Sequence, residues 1–167
     1  VQDNMVETDH YTHPYFGIPV YSLYSDTRKP TPKMLEGIDT FVVDLQDVGT
    51  RVYTYITTVT YILEECAKAG IKVVILDRPN PVGLDKIEGN ILETKFKSFV
   101  GAMEIPQRHG LSMGEYAKYA KKKLALNVDL EIIEVKGLSR SFKWEDTGLE
   151  WVNPSPNLPT PQGSLTF

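Results

Sequence analysis

DTFVVDLQDVGTRVYTYITT, residues 39–58, begins as a strand and ends as a helix. Phe41, Val42, Val43 and Leu45 form a short apolar run rich in branched residues, the composition of a buried strand. Asp44 sits inside that run and Asp47 just after it. An ionised carboxylate taken out of water without partners costs several kcal/mol (order of magnitude), so each needs a reason to be there. One reason is structural: Arg51 can pair with Asp44 as a buried ion pair that fixes the turn. The other is a site. Gly49 permits a tight turn, and a helix starts near Tyr53. Strand, polar turn and helix make the first two-thirds of a βαβ unit.

The rest of the chain extends this unit. Ile56, Val59, Leu63 and Cys66 repeat at helical spacing, and Gly70 is the expected left-handed stop, giving a helix over 53–69. Ile71 to Leu76 is the next apolar run, and a connection of this length calls for a parallel crossover. Ser112-Met113-Gly114-Glu115 is a capping box ahead of an amphipathic helix over 112–124, with Met113, Tyr116, Ala117, Ala120 and Leu124 on one face. Leu130 to Val135 reads as a further strand and Ser98 to Gly101 as another. Upstream, Val20 to Tyr24 alternates like a strand. Thr31-Pro32 opens a short helix that stops at Gly37. The expected fold is α/β: a Rossmann-like three-layer domain in which strands near 20–24, 40–46, 72–76 and 130–135 share a largely parallel sheet. The domain spans 1–136. From Gly137 a tail carrying Trp144, Trp151, Pro154, Pro156, Pro159 and Pro161 cannot be regular helix, and is expected to run over the surface or toward an auxiliary domain, with apolar surface around the two tryptophans.

Composition removes several classes. The chain has 167 residues, 41% hydrophobic and 24% charged, with a formal charge of −4. That is enough for one domain with a real core, and it offers no basic stripe for nucleic acid. No apolar run is long enough for a membrane-spanning helix. Cys66 is the single cysteine, so there is no internal disulfide and no cysteine-based zinc site. His10 and His13 lack a completing ligand and read as exposed histidines of an irregular segment over 1–15. No G-x-G-x-x-G, P-loop or H-E-x-x-H motif is present.

In an open parallel sheet, ligands bind beyond the carboxyl ends of the strands. The loops leaving those ends are 46–52 and 77–90, and Arg108-His109-Gly110 leads into a helix starting at the same edge. Asp47, Arg51, Asp77, Arg78, Asn80, Glu88 and His109 are therefore expected to converge. Carboxylates, guanidinium, amide, imidazole and nearby tyrosines suit a polyhydroxylated or N-acylated ligand. Each also has a plainer reading. Asp77 or Asn80 can bond backbone amides in a rigid turn, Glu115 caps a helix, His109 is a satisfied histidine, and Tyr53 and Tyr55 are core or rim aromatics.

VVDLQDVGTRVYTYITT (42–58), LDRPNP (76–81), IEGNIL (87–92), FVGAMEIPQRHGLSMGE (99–115) and WVNPSPNLPT (151–160) resemble the YbbC/NamZ-like family of exo-β-N-acetylmuramidases. The resemblance covers residues 17 to 167. It implies a Rossmann-like catalytic domain followed by a smaller auxiliary domain, with the active site in the cleft between them. It further implies release of terminal N-acetylmuramic acid from peptidoglycan fragments, usually outside the cytoplasm, whether periplasmic, secreted or as a lipoprotein. The family's Glu-His pair in a Gly-rich motif is not in this sequence, which is expected to be the central part of a longer protein, and residues 1–167 alone are expected to hydrolyse little.

The resulting expectation is a glycoside hydrolase acting on a muropeptide or disaccharide, with no cofactor or metal, no nucleic acid partner and no membrane span. Glycosidic hydrolysis generally uses two carboxyl groups, although an acetamido sugar can supply its own carbonyl as nucleophile. Asp47 and Glu88, with Asp77 behind them, are the catalytic candidates. Gln46, Arg51, Tyr53, Arg78, Asn80 and His109 are the substrate-binding ones, arginine suiting the lactyl carboxylate by bidentate bonding. Two alternatives use the same residues: a non-catalytic muropeptide-binding module, and a hydrolase of another class with a metal on Asp44, Asp47 and His109.

Overall fold

The computed structural model describes residues 9–166. Of the irregular segment expected over 1–15, residues 1–8 lie outside the described residues. The chain begins with a small antiparallel hairpin, β1 (Tyr11–Thr12) and β2 (Pro19–Val20). His13 Nδ1 accepts from the amides of Tyr15 and Phe16, and His10 Nδ1 from that of Ser22, so both histidines brace turns. The strand expected near 20–24 is therefore not in the main sheet. Pro19 brings no amide donor, which confines its strand to an edge. By residue 22 the chain has turned toward the first helix, where the Tyr24 hydroxyl meets Thr54 Oγ1 at 2.7 Å.

The main sheet is built from β3 (Thr40–Val43), β4 (Lys72–Leu76) and β5 (Leu130–Ile133), in the order β3-β4-β5 and parallel throughout. Thr31 caps a 3-10 turn over Pro32–Leu35 just ahead of β3. Residues 98–101 form no strand of the sheet, only a tight turn in which Ser98 and Gly101 exchange backbone bonds. The protein is thus α/β with a parallel sheet, as the βαβ pattern requires.

The two helices are α1 (Tyr55–Ala69) and α2 (Met113–Lys123). Gly70 ends α1 with φ +69°, in the left-handed region where only glycine is unstrained. The stripe Ile56, Val59, Leu63, Cys66 packs against Val43, Val73, Ile75, Tyr116 and Ala120 in one core. Tyr116, enclosed there, bonds Thr60 through its hydroxyl at 2.7 Å, and burial pushes its pKa up. Because Val43, Val73 and Ile75 share one face of the pleat, both helices lie on that face. The described residues supply two of the three expected layers. The opposite face carries Val42 and Ile133, 54% and 48% exposed.

At its start α2 is held twice. Ser112 and Glu115 form the capping box read from sequence, and Asp77 adds a second clamp from the end of β4. Asp77 Oδ2 accepts from Ser112 Oγ at 2.6 Å and Oδ1 from the Gly114 amide at 2.9 Å. Removing it leaves orphaned helix donors, so Asp77→Ala is expected to cost about 1–2 kcal/mol of stability. Chemical denaturation checks this. Loss of activity at unchanged stability would instead return Asp77 to the chemistry.

Candidate functional site

Three loops far apart in sequence meet at the carboxyl edge of the sheet. The Arg51 amide donates to Gln107 O at 2.8 Å and the His109 amide to Gly49 O at 3.4 Å. Glu88 and Arg108 exchange backbone bonds at 2.9 and 3.1 Å. This stitching brings the predicted residues together in space. It does not give them a common surface.

Asp47 and His109 form a sealed pair beneath the edge, 3% and 2% exposed. His109 Nδ1 accepts from the Leu111 amide at 3.2 Å, which assigns the ring proton to Nε2. Nε2 lies 3.2 Å from Asp47 Oδ2, off the direction of a good hydrogen bond, and the same oxygen accepts from the Gly49 amide at 3.0 Å. Asp47 Oδ1 is enclosed without a hydrogen-bond partner among the described residues. The pair binds the 47–49 turn to the 109–111 turn. Neither side chain reaches solvent.

Arg51 and Asn80 are also enclosed. Arg51 does not pair with Asp44; its Nη1 donates to Asn90 O at 2.8 Å and Ile105 O at 2.7 Å, so it satisfies loop carbonyls. Asn80 accepts from the Val82 amide and donates to Leu111 O, both at 3.1 Å. Tyr53 is buried and donates to Pro154 O at 2.8 Å. Asp77 caps α2 and borders a separate hollow of about 200 Å³ with Glu115 and Arg140, which are themselves ion-paired at 2.5 Å. Glu88 is exposed, paired with Arg108 at 2.5 Å.

Of the predicted residues, Gln46 and Arg78 line a cleft of about 460 Å³ at this edge. Gln46 is fixed by donating to Asp47 O at 2.7 Å and Pro79 O at 2.9 Å. Arg78 Nε donates to Asp44 Oδ1 at 2.7 Å, and both side chains are about half exposed. The wall opposite comes from the tail, through Trp144, Leu149, Glu150, Asn153 and Pro154, with Tyr55 on the helix side.

The tail packs back on the domain. Leu158 inserts beside Val48 and Tyr53, and Trp151 donates to Leu158 O at 3.0 Å. Trp144 is 6% exposed and meets Trp151 edge-on at 4.9 Å, so the Trp144 indole is covered, while Leu149 and Val152 beside Trp151 leave apolar surface open, 54% and 78% exposed. Sequence reasoning missed Tyr55, Trp144, Glu150 and Asn153 as cleft residues, and it gave Asp44 the wrong partner. For Asp44 a signal existed: strand alternation points it away from the core that Val43 enters. For the tail none did, because its course depends on contacts about a hundred residues away in sequence.

Chemically, the cleft offers one guanidinium, two carboxylates, two amides and two aromatic rings. No group of three or more His, Cys, Asp or Glu side chains positioned to hold a metal ion occurs among the described residues. Asp44 stands in the cleft while Asp47 and His109 lie sealed below it, so the three do not form a metal centre. No helix among the described residues is long and apolar enough to cross a membrane.

Residues 1–162 match the family described as exo-β-N-acetylmuramidase NamZ, N-terminal. The chain is 46% identical over 151 residues to the peptidoglycan β-N-acetylmuramidase NamZ of Bacillus subtilis (strain 168), covering 90% of this chain and 36% of that protein. A crystal structure of a DUF1343 family protein from Bacteroides fragilis NCTC 9343 superposes with a TM-score of 0.88 at 42% identity, over 92% of this chain and 40% of the other. A second DUF1343 protein from the same organism gives 0.71 at 35% identity, over 78% of this chain and 36% of that one. The chain thus spans little more than a third of the length of these relatives.

Proposed function

The chain belongs to the family of exo-β-N-acetylmuramidase NamZ N-terminal domains, and on that premise we propose that the protein carrying it releases terminal N-acetylmuramic acid from peptidoglycan fragments. In this reading the chain supplies the sugar-holding wall at the carboxyl edge of its sheet, and the auxiliary domain implied by the resemblance closes the cleft from the other side. The protein works in bacterial cell-wall turnover outside the cytoplasm. The observation that carries the reading is the cleft, where Arg78 and Gln46 stand beside Tyr55 and Trp144 in about 460 Å³. A cleft of this size suits one or two sugar rings, with aromatic faces for the ring and a few polar groups for orientation.

Muramic acid differs from glucosamine by a lactyl ether on C3 that ends in a carboxylate. Arg78 is the cleft's cation, and its two terminal nitrogens are unengaged among the described residues. A guanidinium fork of that kind matches a carboxylate bidentately. Gln46 lines the cleft floor with its amide nitrogen spent on Asp47 O and Pro79 O and its Oε1 enclosed, so it holds the floor in place while the hydroxyl and acetamido groups meet the exposed polar edge of the cleft. Asp47, His109, Arg51 and Asn80 act one layer down, by holding the loops that carry Gln46 and Arg78. Hydrolysis adds water across the anomeric carbon and the leaving oxygen, which takes a proton as the glycosidic bond breaks. The acetamido carbonyl is available as internal nucleophile, so a single protein acid suffices in principle.

The test is binding of N-acetylmuramic acid and N-acetylglucosamine to the wild type and to Arg78→Ala. Wild type is expected to favour the lactyl sugar, and Arg78→Ala to weaken it about tenfold while leaving N-acetylglucosamine unchanged, in line with a charge-assisted pair at a half-exposed site. Equal weakening of both sugars would remove the lactyl assignment.

A further inference from the structure

Asp44 is a carboxylate of the cleft to which the proposed function gives no work. Its Oδ1 is taken by Arg78 Nε at 2.7 Å, and its Oδ2 has no partner among the described residues. The side chain is 50% exposed at the mouth of the cleft, just past the last residue of β3. The carboxylate and the guanidinium therefore present, side by side, one open acceptor and one open donor edge. A ligand group held on the open edge of Arg78 therefore lies close to Asp44.

On a muramic acid ring, the neighbour of the C3 lactyl ether is the C4 oxygen. In a 1,4-linked glycan that oxygen differs between chain positions. Inside the chain it carries the next sugar and has no hydrogen. On the non-reducing terminal residue it is a free hydroxyl. We propose that Asp44 reads the free 4-hydroxyl of terminal muramic acid, accepting its hydrogen on Oδ2 while Arg78 holds the lactyl carboxylate. Asp44 is thereby the specificity residue that limits the site to chain ends. This rests on the muramidase reading given above.

The physical basis is the asymmetry of hydrogen bonding to a charged group. A hydroxyl donor satisfies the open oxygen of Asp44. An ether oxygen at the same place offers only lone pairs, so it leaves the carboxylate desolvated and faces it with like partial charge. A site built to bond a substrate hydroxyl rejects analogues that lack it far more strongly than an apolar pocket rejects a missing methylene. Half exposure at Asp44 moderates the effect here.

The experiment uses full-length protein carrying this chain, as wild type and as Asp44→Asn. Two chromogenic β-N-acetylmuramides are compared, one with a free 4-hydroxyl and one with 4-deoxy chemistry, and kcat/KM is measured on each. Wild type is expected to prefer the 4-hydroxyl substrate by about thirtyfold or more. Asp44→Asn is expected to lose most of that preference by falling on the 4-hydroxyl substrate and holding its rate on the 4-deoxy one. Thermal unfolding of both proteins is run alongside, and Asp44→Ser serves as the second variant if Asp44→Asn is destabilised. Wild-type discrimination retained in the variants overturns the inference. So does an equal loss on both substrates, which would mean that Asp44 acts only by holding Arg78. Absence of turnover of either substrate by the wild type overturns the muramidase reading itself, and this inference with it.

Discussion

Gly49→Ala is expected to destabilise the protein by about 3 kcal/mol, from two separable causes. Gly49 sits at φ +83°, and a Cβ there would lie 2.4 Å from Val82 Cγ2 and 2.5 Å from Asn80 Oδ1. The left-handed backbone alone costs a non-glycine residue roughly 1–2 kcal/mol. The overlap adds a further 1–3 kcal/mol, roughly, because the 80–82 loop is enclosed and cannot step aside. Gly37 is the internal control: its φ is +74°, but nothing lies within 4 Å of where its Cβ would sit. Gly37→Ala should therefore show the backbone cost alone, about 1–2 kcal/mol. Thermal unfolding separates the two, with a midpoint shift of about 2–4 °C per kcal/mol for a chain of this size. Equal shifts would mean that the turn under the cleft is free to move.

Asp47→Ala is expected to cost about 1–3 kcal/mol, the range for leaving a buried donor without its acceptor. The Gly49 amide loses its acceptor, and the His109 ring proton is left facing a void. Asp47→Asn should fall between wild type and alanine, since its carbonyl can still accept from Gly49 while its amide points two donors toward His109 Nε2. If the cleft works as proposed, activity follows stability in this series, because Gln46 and the 47–49 turn shift together. Full loss of activity with an unchanged melting temperature would show that Asp47 takes part in the chemistry despite its burial.

These two residues also show how much was legible in the sequence. The strand, turn and helix of 40–69 could be read from branched residues, one glycine and a helical stripe, because each signal is local. The parallel pairing of β3 with β4 followed from connection length. Convergence of the three loops followed from topology, and the structure sews them together through Gly49, Gln107, Glu88 and Arg108. Depth was not legible. A carboxylate next to a strand reads the same in sequence whether it faces solvent, as Asp44 does, or the interior, as Asp47 does. Only the partners decide, and those lie far along the chain: Arg78 for the first, His109 for the second. The tail was illegible for a related reason. Its prolines exclude regular structure but say nothing of destination, and Leu158 finds its place only once Val48 and Tyr53 have formed a socket.

The same contrast explains the loop over 93–104. Nothing there is periodic, yet Glu104 gathers Thr94, Lys97 and Lys123 around it, and those bonds hold its carboxyl far below the usual range, at about 2. A loop clamped by one carboxylate is visible only in three dimensions.

If the carboxyl-edge cleft carrying Gln46 and Arg78 is the surface that holds the sugar, titration of isotopically labelled protein with N-acetylmuramic acid, followed by NMR, shows it most directly. The Arg78 Nε, Gln46 side-chain amide and Trp144 indole signals are expected to move together along one binding curve, while the Arg108 Nε signal beside Glu88 stays in place. Movement centred on Arg108, or in the hollow beside Asp77 and Arg140, with the Gln46 and Arg78 signals unchanged, would contradict it.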